Sequence, residues 1–295
     1  MSSAVVAGAH ARRGGISLAS VRRLVRRRPS LAVGGVIIAA FVVLAIGAPF
    51  VAPYSPVAQD LSRIRPGFVP GPSAQHLLGL DTLGRDEFSR LVFGARQSLL
   101  VAVLSVAGGG TAGVLIGGLA AAGPSLADNV LMRLVDTMMA VPGLLFAIGI
   151  AAALGPSLHS VIIAVGVANI PVFARLTRSA MLVEREREYV LAARSIGVRP
   201  VTVILRHILP NSLSGVVVQA TLSLASAIID AAGLSYLGLG SGDPSVPEWG
   251  RMLADAQSAL NYAPWLVLAP GLAIALAALG FTLIGEDVRA RVEAG

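Results

Sequence analysis

The chain has 295 residues, 55% of them hydrophobic, with a mean hydropathy of +0.78, only 13% charged residues and a net charge of +7. Soluble domains are roughly 45–50% apolar and about 25% charged, so this composition places the chain in a bilayer. All 23 basic residues are arginine, which excludes a P-loop lysine. The absence of cysteine excludes disulfides and thiolate chemistry, and His10, His76, His159 and His207 lack metal-ligand spacing.

Residues 1–30 read as a flexible basic tail that carries Arg12, Arg13, Arg22, Arg23, Arg26, Arg27 and Arg28. Crossing ~30 Å of hydrocarbon takes ~20 mostly apolar residues. Six stretches qualify, near 31–52, 98–122, 133–154, 158–180, 213–239 and 265–285. The first exceeds the ~7–15 apolar residues of a signal peptide, so it is expected to be an uncleaved span. In the segment 53–97, Asp81 is a candidate helix cap and Phe88, Leu91 and Val92 form an apolar stripe, which predicts an amphipathic surface helix.

Gly108, Gly109, Gly110, Gly113, Gly117 and Gly118 predict close helix packing along the second span. Pro142, Pro171 and Pro270 fall inside spans, where each removes a backbone donor and favours a kink. Asp136 lies within a turn of the third span's cytoplasmic end. Asp230, in the fifth span, is expected to be the deep charge, either facing a translocation path or pairing in a structural network. Trp249, Tyr262 and Trp265, near the outer end of the sixth span, suit an interfacial aromatic belt or solute contact. Residues 286–295 read as a second cytoplasmic tail. The spans hold no serine–histidine pair, metal-ligand set or acidic dyad, so no enzyme site is expected.

Arginine asymmetry sets the orientation. With the N-terminus in the cytoplasm, seventeen arginines lie inside and six outside, and six crossings return the C-terminus to the cytoplasm.

The most informative segment is the charge-dense stretch 184–211 between the fourth and fifth spans, since seven arginines between Arg175 and Arg206 need water or a partner. Glu184, Glu186 and Glu188 suit a helix start, and Tyr189, Ala192, Ala193 and Ile196 form a helical stripe that Gly197 stops. A second amphipathic piece with Val201, Ile204 and Leu205 follows, and Pro210 and Asn211 read as a breaker and cap before the fifth span. Ala192 and Ala193 are expected to face outward and admit another surface. A basic loop held by anionic lipid headgroups is the simpler alternative.

At these residues the chain resembles the inner-membrane permease subunits of bacterial ABC importers, of the dipeptide/oligopeptide type. Their E-A-A-x3-G-x9-I-x-L-P loop is similar to Leu191-Ala192-Ala193, Gly197 and His207-Ile208-Leu209-Pro210. Leu191 replaces the usual glutamate, which leaves open whether Glu188 supplies that charge, and His207 replaces isoleucine. The ending Arg206-His207-Ile208-Leu209-Pro210-Asn211 is itself similar to the peptide subgroup. The segments His76–Arg90, Arg133–Leu145, Gly233–Gly240 and Pro247–Leu253 also resemble family motifs, in the same order.

The resemblance implies an all-α membrane protein of six transmembrane helices with both termini cytoplasmic, in the type I ABC importer permease fold of the bacterial inner membrane. It implies a core at 98–285 and ATPase coupling through Glu188, Tyr189, Ala192, Ala193, Gly197, Arg206, His207, Pro210 and Asn211. Implied partners are a second homologous permease, two ATPase subunits or one fused ATPase, an extracytoplasmic substrate-binding protein and membrane lipids, with no nucleic acid. No cofactor is expected in this chain, because ATP and Mg would be bound by the ATPase partners. Peptide is the implied cargo, with nickel or glutathione as the alternatives within the family. An ion-coupled secondary transporter would leave the 184–211 loop idle.

Overall fold

The computed structural model describes residues 28–65 and 67–294, so the basic tail expected over 1–30 lies almost wholly outside the described residues. The described residues are helical, with isolated bridges and no β-strand. In chain order the helices are α1 (Pro29–Val51), α2 (Glu87–Ala122), α3 (Ser125–Met139), α4 (Gly143–Leu154), α5 (Leu158–Arg185), α6 (Glu188–Ser195), α7 (Pro200–Val203), α8 (Leu209–Tyr236), α9 (Trp249–Ala256) and α10 (Trp265–Ala294). A π turn at Ile204–Ile208 joins α7 to α8.

Five of these segments are long and apolar enough to cross a membrane singly, with α7 and α8 counted as one, and α3 with α4 makes a pair bent by 91°. Arg28, just before α1, pairs with Asp287 near the end of α10 at 3.1 Å. Both ends of the bundle therefore lie on the same side, which requires an even number of crossings. The α3–α4 pair then counts as a single crossing, the third of six.

That third span, expected over 133–154 with a kink at Pro142, is bent by a full break. It breaks between Met139 and Gly143, because Pro142 lacks an amide hydrogen and disfavours helix at the residue before it. Pro171 and Pro270, by contrast, lie inside uninterrupted helices. Several helices outrun their apolar windows: α2 begins at Glu87 rather than 98, and α10 continues to Ala294 rather than 285. Hydropathy marks the hydrocarbon slice, while helical hydrogen bonding continues into the polar ends.

The packing of α2 on α5 forms the centre of the bundle. A Cβ at Gly109 would strike the carbonyl of Gly166, one at Gly113 the side chain of Phe173, and one at Gly117 the carbonyl of Ala174. These three positions, four residues apart, bring the two backbones together, which in lipid is the main source of helix attraction. Gly108 has open space around it and Gly118 only an ordinary contact, so the close approach uses one face of α2.

The outer segment forms no separate surface helix. Asp86 rather than Asp81 caps α2, with its Oδ2 accepting from the Ser89 amide at 2.8 Å. Asp81 closes the preceding turn, accepting from the amides of Leu83 and Arg85 at 2.8 Å each and from Arg85 Nε at 2.6 Å. Arg85 also donates to the Pro244 carbonyl at 2.8 Å, which locks this segment to the loop before α9. Trp249 is fully buried, donates to the Leu91 carbonyl at 3.0 Å and meets Phe41 edge-on at 5.2 Å. It is therefore a packing residue and serves neither the aromatic belt nor solute contact.

Candidate coupling loop

The segment 184–211 folds as helix, glycine turn and helix. Helix α6 ends in a paired closure: the Gly197 amide donates to Arg194 O at 3.0 Å and the Val198 amide to Ala193 O at 3.1 Å. Gly197 has φ +82°, the left-handed conformation that this closure requires and that glycine adopts without Cβ strain. The glycine stop read from the sequence stands where expected.

An apolar base holds α6 to the membrane domain. Val190 and Ile208 are fully buried, and they cluster with Ala121, Met181 and Val203. The stripe was expected to run through Tyr189, Ala192, Ala193 and Ile196. The structure divides it: Ala193 packs half-buried on this base, while Tyr189, Ala192 and Ile196 face out. The expected outward pair is therefore one residue, Ala192. Val190 was missed because a single valine in an 8-residue helix shows no periodicity of its own.

Pro210 does not break the chain. Leu209 N bonds to Ile204 O five residues back, so a π turn precedes the proline and the helix continues into α8. The proline ring would crowd the carbonyl of Arg206 four residues earlier, and widening the turn relieves that clash. Asn211 is accordingly no cap. Its Nδ2 donates to His207 O at 2.7 Å and to Tyr189 Oη at 2.9 Å, and Tyr189 in turn donates to Glu184 Oε2 at 2.5 Å. Tyr189, His207 and Asn211 thus form a clasp that ties α6 to the root of α8. Partial burial, with the Glu184 carboxylate beside it, raises the Tyr189 pKa above its ordinary value.

Glu188 and Arg206 take no part in the clasp. Both are exposed and unpaired among the described residues, as are Arg194 and Arg199. Leu191, Ile196, Val201 and Leu205 are exposed beside them, with Ile196 at 81%. The loop therefore presents an apolar, cationic surface on a rigid base. Asp136, in the last turn of α3, pairs with Arg175 of α5 at 2.5 Å. Asp230 sits in α8, six residues or about 9 Å before its end at Tyr236. It is half-buried and has no polar partner among the described residues.

Residues 113–293 match the family of binding-protein-dependent transport system inner membrane components. The chain belongs to this family. Residues 18–70 of the permease also match the N-terminal transmembrane domain of oligopeptide transport permease C, which extends the likeness into the stretch read as a plain basic tail. The permease is 43% identical to the dipeptide transport system permease protein DppC of Alkalihalophilus pseudofirmus, over 87% of this chain and 83% of that one. It is 44% identical to the di/tripeptide transport system permease protein DppC of Pseudomonas aeruginosa, over 88% and 86%. The glutathione transport system permease protein GsiD of Pectobacterium atrosepticum is 40% identical over 91% and 87%. Its fold matches a chain of the MetNI methionine ABC transporter in an inward-facing conformation, with a TM-score of 0.56 and 19% identity over 70% of this chain and 95% of that one. The permease is thus a multi-span inner-membrane subunit of an ABC importer, with the expected type I fold.

Proposed function

We propose that the permease forms, with a second related permease, the translocation path of a peptide importer, and that ATPase subunits dock on the 184–211 loop. The observation that carries this is the loop's exposed apolar and cationic surface, with Leu191 and Ile196 beside Arg199 and Arg206, held on the buried base of Val190 and Ile208. Solvent alone does not explain that surface, whereas a protein partner would cover its apolar part. The chain has no lysine for a P-loop, so ATP and Mg belong to the docking subunits. ATP-driven closure of those subunits would move the loop and switch the spans, provided ATP favours one state.

Arginine asymmetry supports a cytoplasmic loop, and a substrate-binding protein would then deliver cargo to the opposite face. Short peptides are the proposed cargo, supported by the dipeptide and di/tripeptide relatives, with glutathione as the second reading. Asp230 remains a candidate for the path because it is half-buried and has no polar partner among the described residues.

The test is affinity purification of the tagged native permease in mild detergent, with ATPase assay of the recovered complex and peptide uptake after reconstitution. Recovery of a second permease and an ATPase is expected, and Ala192→Arg should uncouple hydrolysis from uptake while leaving assembly intact. Recovery of the permease alone, or normal uptake by Ala192→Arg, refutes docking through this loop.

A further inference from the structure

Two cavities meet on the flank of the loop. One, of about 250 Å3, is lined by Ala121, Met181, Arg185, Arg194, Val203 and Ile204 among others. The second, of about 360 Å3, continues along Leu115, Gly118, Leu119, Val201 and Leu205. Ala122, Met181 and Ile204 line both, so the two make one groove, cationic at one end and apolar at the other. The apolar end follows the last turns of α2 from Ala122 back to Val114, a rise of about 12 Å from the membrane surface into the hydrocarbon.

At the cationic end Arg185 is fixed by donating to the Ala121 carbonyl at 3.0 Å. Among the described residues no carboxylate pairs with Arg185 or Arg194, and Glu184 is engaged by Tyr189 and Arg187. Residues 1–27 add six arginines and no carboxylate, the wrong charge to fill such a groove.

We propose that this groove binds an anionic phospholipid, with one acyl chain along Leu115, Leu119 and Leu205 and the phosphate between Arg185 and Arg194. Guanidinium groups match phosphate oxygens geometrically, and a wall of leucines that enters the hydrocarbon matches a lipid tail. A soluble anion would leave the apolar half empty, and a zwitterionic lipid brings its own cation to a site that already holds two. With the loop cytoplasmic, as proposed above, the lipid belongs to the cytoplasmic leaflet, and only that placement rests on the orientation.

The experiment is native mass spectrometry of the purified full-length permease in mild detergent, titrated with phosphatidylglycerol or phosphatidylcholine of identical acyl chains. Wild type is expected to retain phosphatidylglycerol preferentially. The pair Arg185→Gln and Arg194→Gln should lower that preference by about fivefold for each arginine removed. The corresponding lysine pair should keep it. Gly118→Phe, which fills the apolar half, should lower retention of both lipids, and Arg133→Gln, an exposed arginine outside the groove, should change nothing. Equal retention of the two lipids by wild type overturns the proposal, as does a preference that survives the glutamine pair, undiminished retention of both lipids by Gly118→Phe, or a preference lost in Arg133→Gln. Absence of the preference in the assembled transporter overturns it as well, by giving the groove to a partner subunit. Binding in detergent is indifferent to orientation, so a failure here is distinct from an error in topology.

Discussion

Replacing Gly197 isolates the backbone contribution to loop stability. At φ +82° an L side chain costs about 1–2 kcal/mol, and nothing lies within 4 Å of where the Cβ would stand, so Gly197→Ala adds backbone strain without a clash. Asparagine tolerates this region better, and Gly197→Asn should cost roughly half as much. Gly197→Pro adds the loss of the amide that donates to Arg194 O and forces φ near about −65°, for about 3 kcal/mol or more. The burial of Val190, the main anchor of α6, contributes about 1.5–3 kcal/mol, so even the alanine cost is comparable with it. Gly197→Ala is expected to raise the population of released α6 by about 5–30-fold. Hydrogen exchange over Val190–Val198 in the assembled transporter reads this directly. Protection should fall from glycine through asparagine and alanine to proline, with ATP-driven uptake in the same order. Alanine with wild-type protection and uptake, or proline no worse than alanine, would refute the reasoning.

Gly113→Leu should destabilise the bundle by about 3 kcal/mol or more, since the added carbons meet Phe173 and the Ile170 carbonyl, and detergent thermal unfolding would show it. Glu248 is 1% exposed before α9, and burial raises its pKa to about 7 from 4.5, more than Ser235 and Arg251 pull it back. The folded state therefore holds a proton that the unfolded state releases above pH 4.5, so this contribution is complete below 4.5 and is lost as pH rises through about 7. Unfolding midpoints from pH 5 to 8 should fall for wild type and stay flatter for Glu248→Gln; equal slopes would count against it. Tyr189→Phe removes the hydroxyl shared by Glu184 and Asn211 and should cost about 1 kcal/mol, read as faster exchange in α6 with the spans unchanged.

Features that depend on a short stretch of chain were legible in the sequence. Apolar runs disclosed the spans because lipid demands them, and Gly197 disclosed its turn because the left-handed cap is set by one residue. Features decided by neighbours elsewhere were not. Pro210 alone reads as a breaker, and only a π turn five residues long, stabilised by Asn211 and the buried Ile208, lets the helix pass through it. Asp81 and Asp86 are equivalent as candidate caps, and the choice falls to Asp86 because Arg85 and its turn engage Asp81. Ala193 turns inward because Val203 and Met181, from other helices, supply a surface that no local pattern shows. Likewise the pairing of Gly109, Gly113 and Gly117 with α5 distinguishes them from Gly108, which has the same composition and no neighbour.

From Pro200 to Tyr236 the chain is one uninterrupted helical segment of 37 residues, a strut about 55 Å long. One end carries Val201 and Leu205 on the loop, and the other carries the buried Ser235 beside the buried Glu248. Such a strut has little axial give, so a push on the loop reaches the opposite membrane face as a shift of comparable size. The π turn is its single eccentric joint: one surplus residue there rotates the loop about the shaft by roughly 100° relative to a plain α-helix. Removing that residue would leave the span intact and turn Val201 and Arg199 toward a different side of the membrane domain.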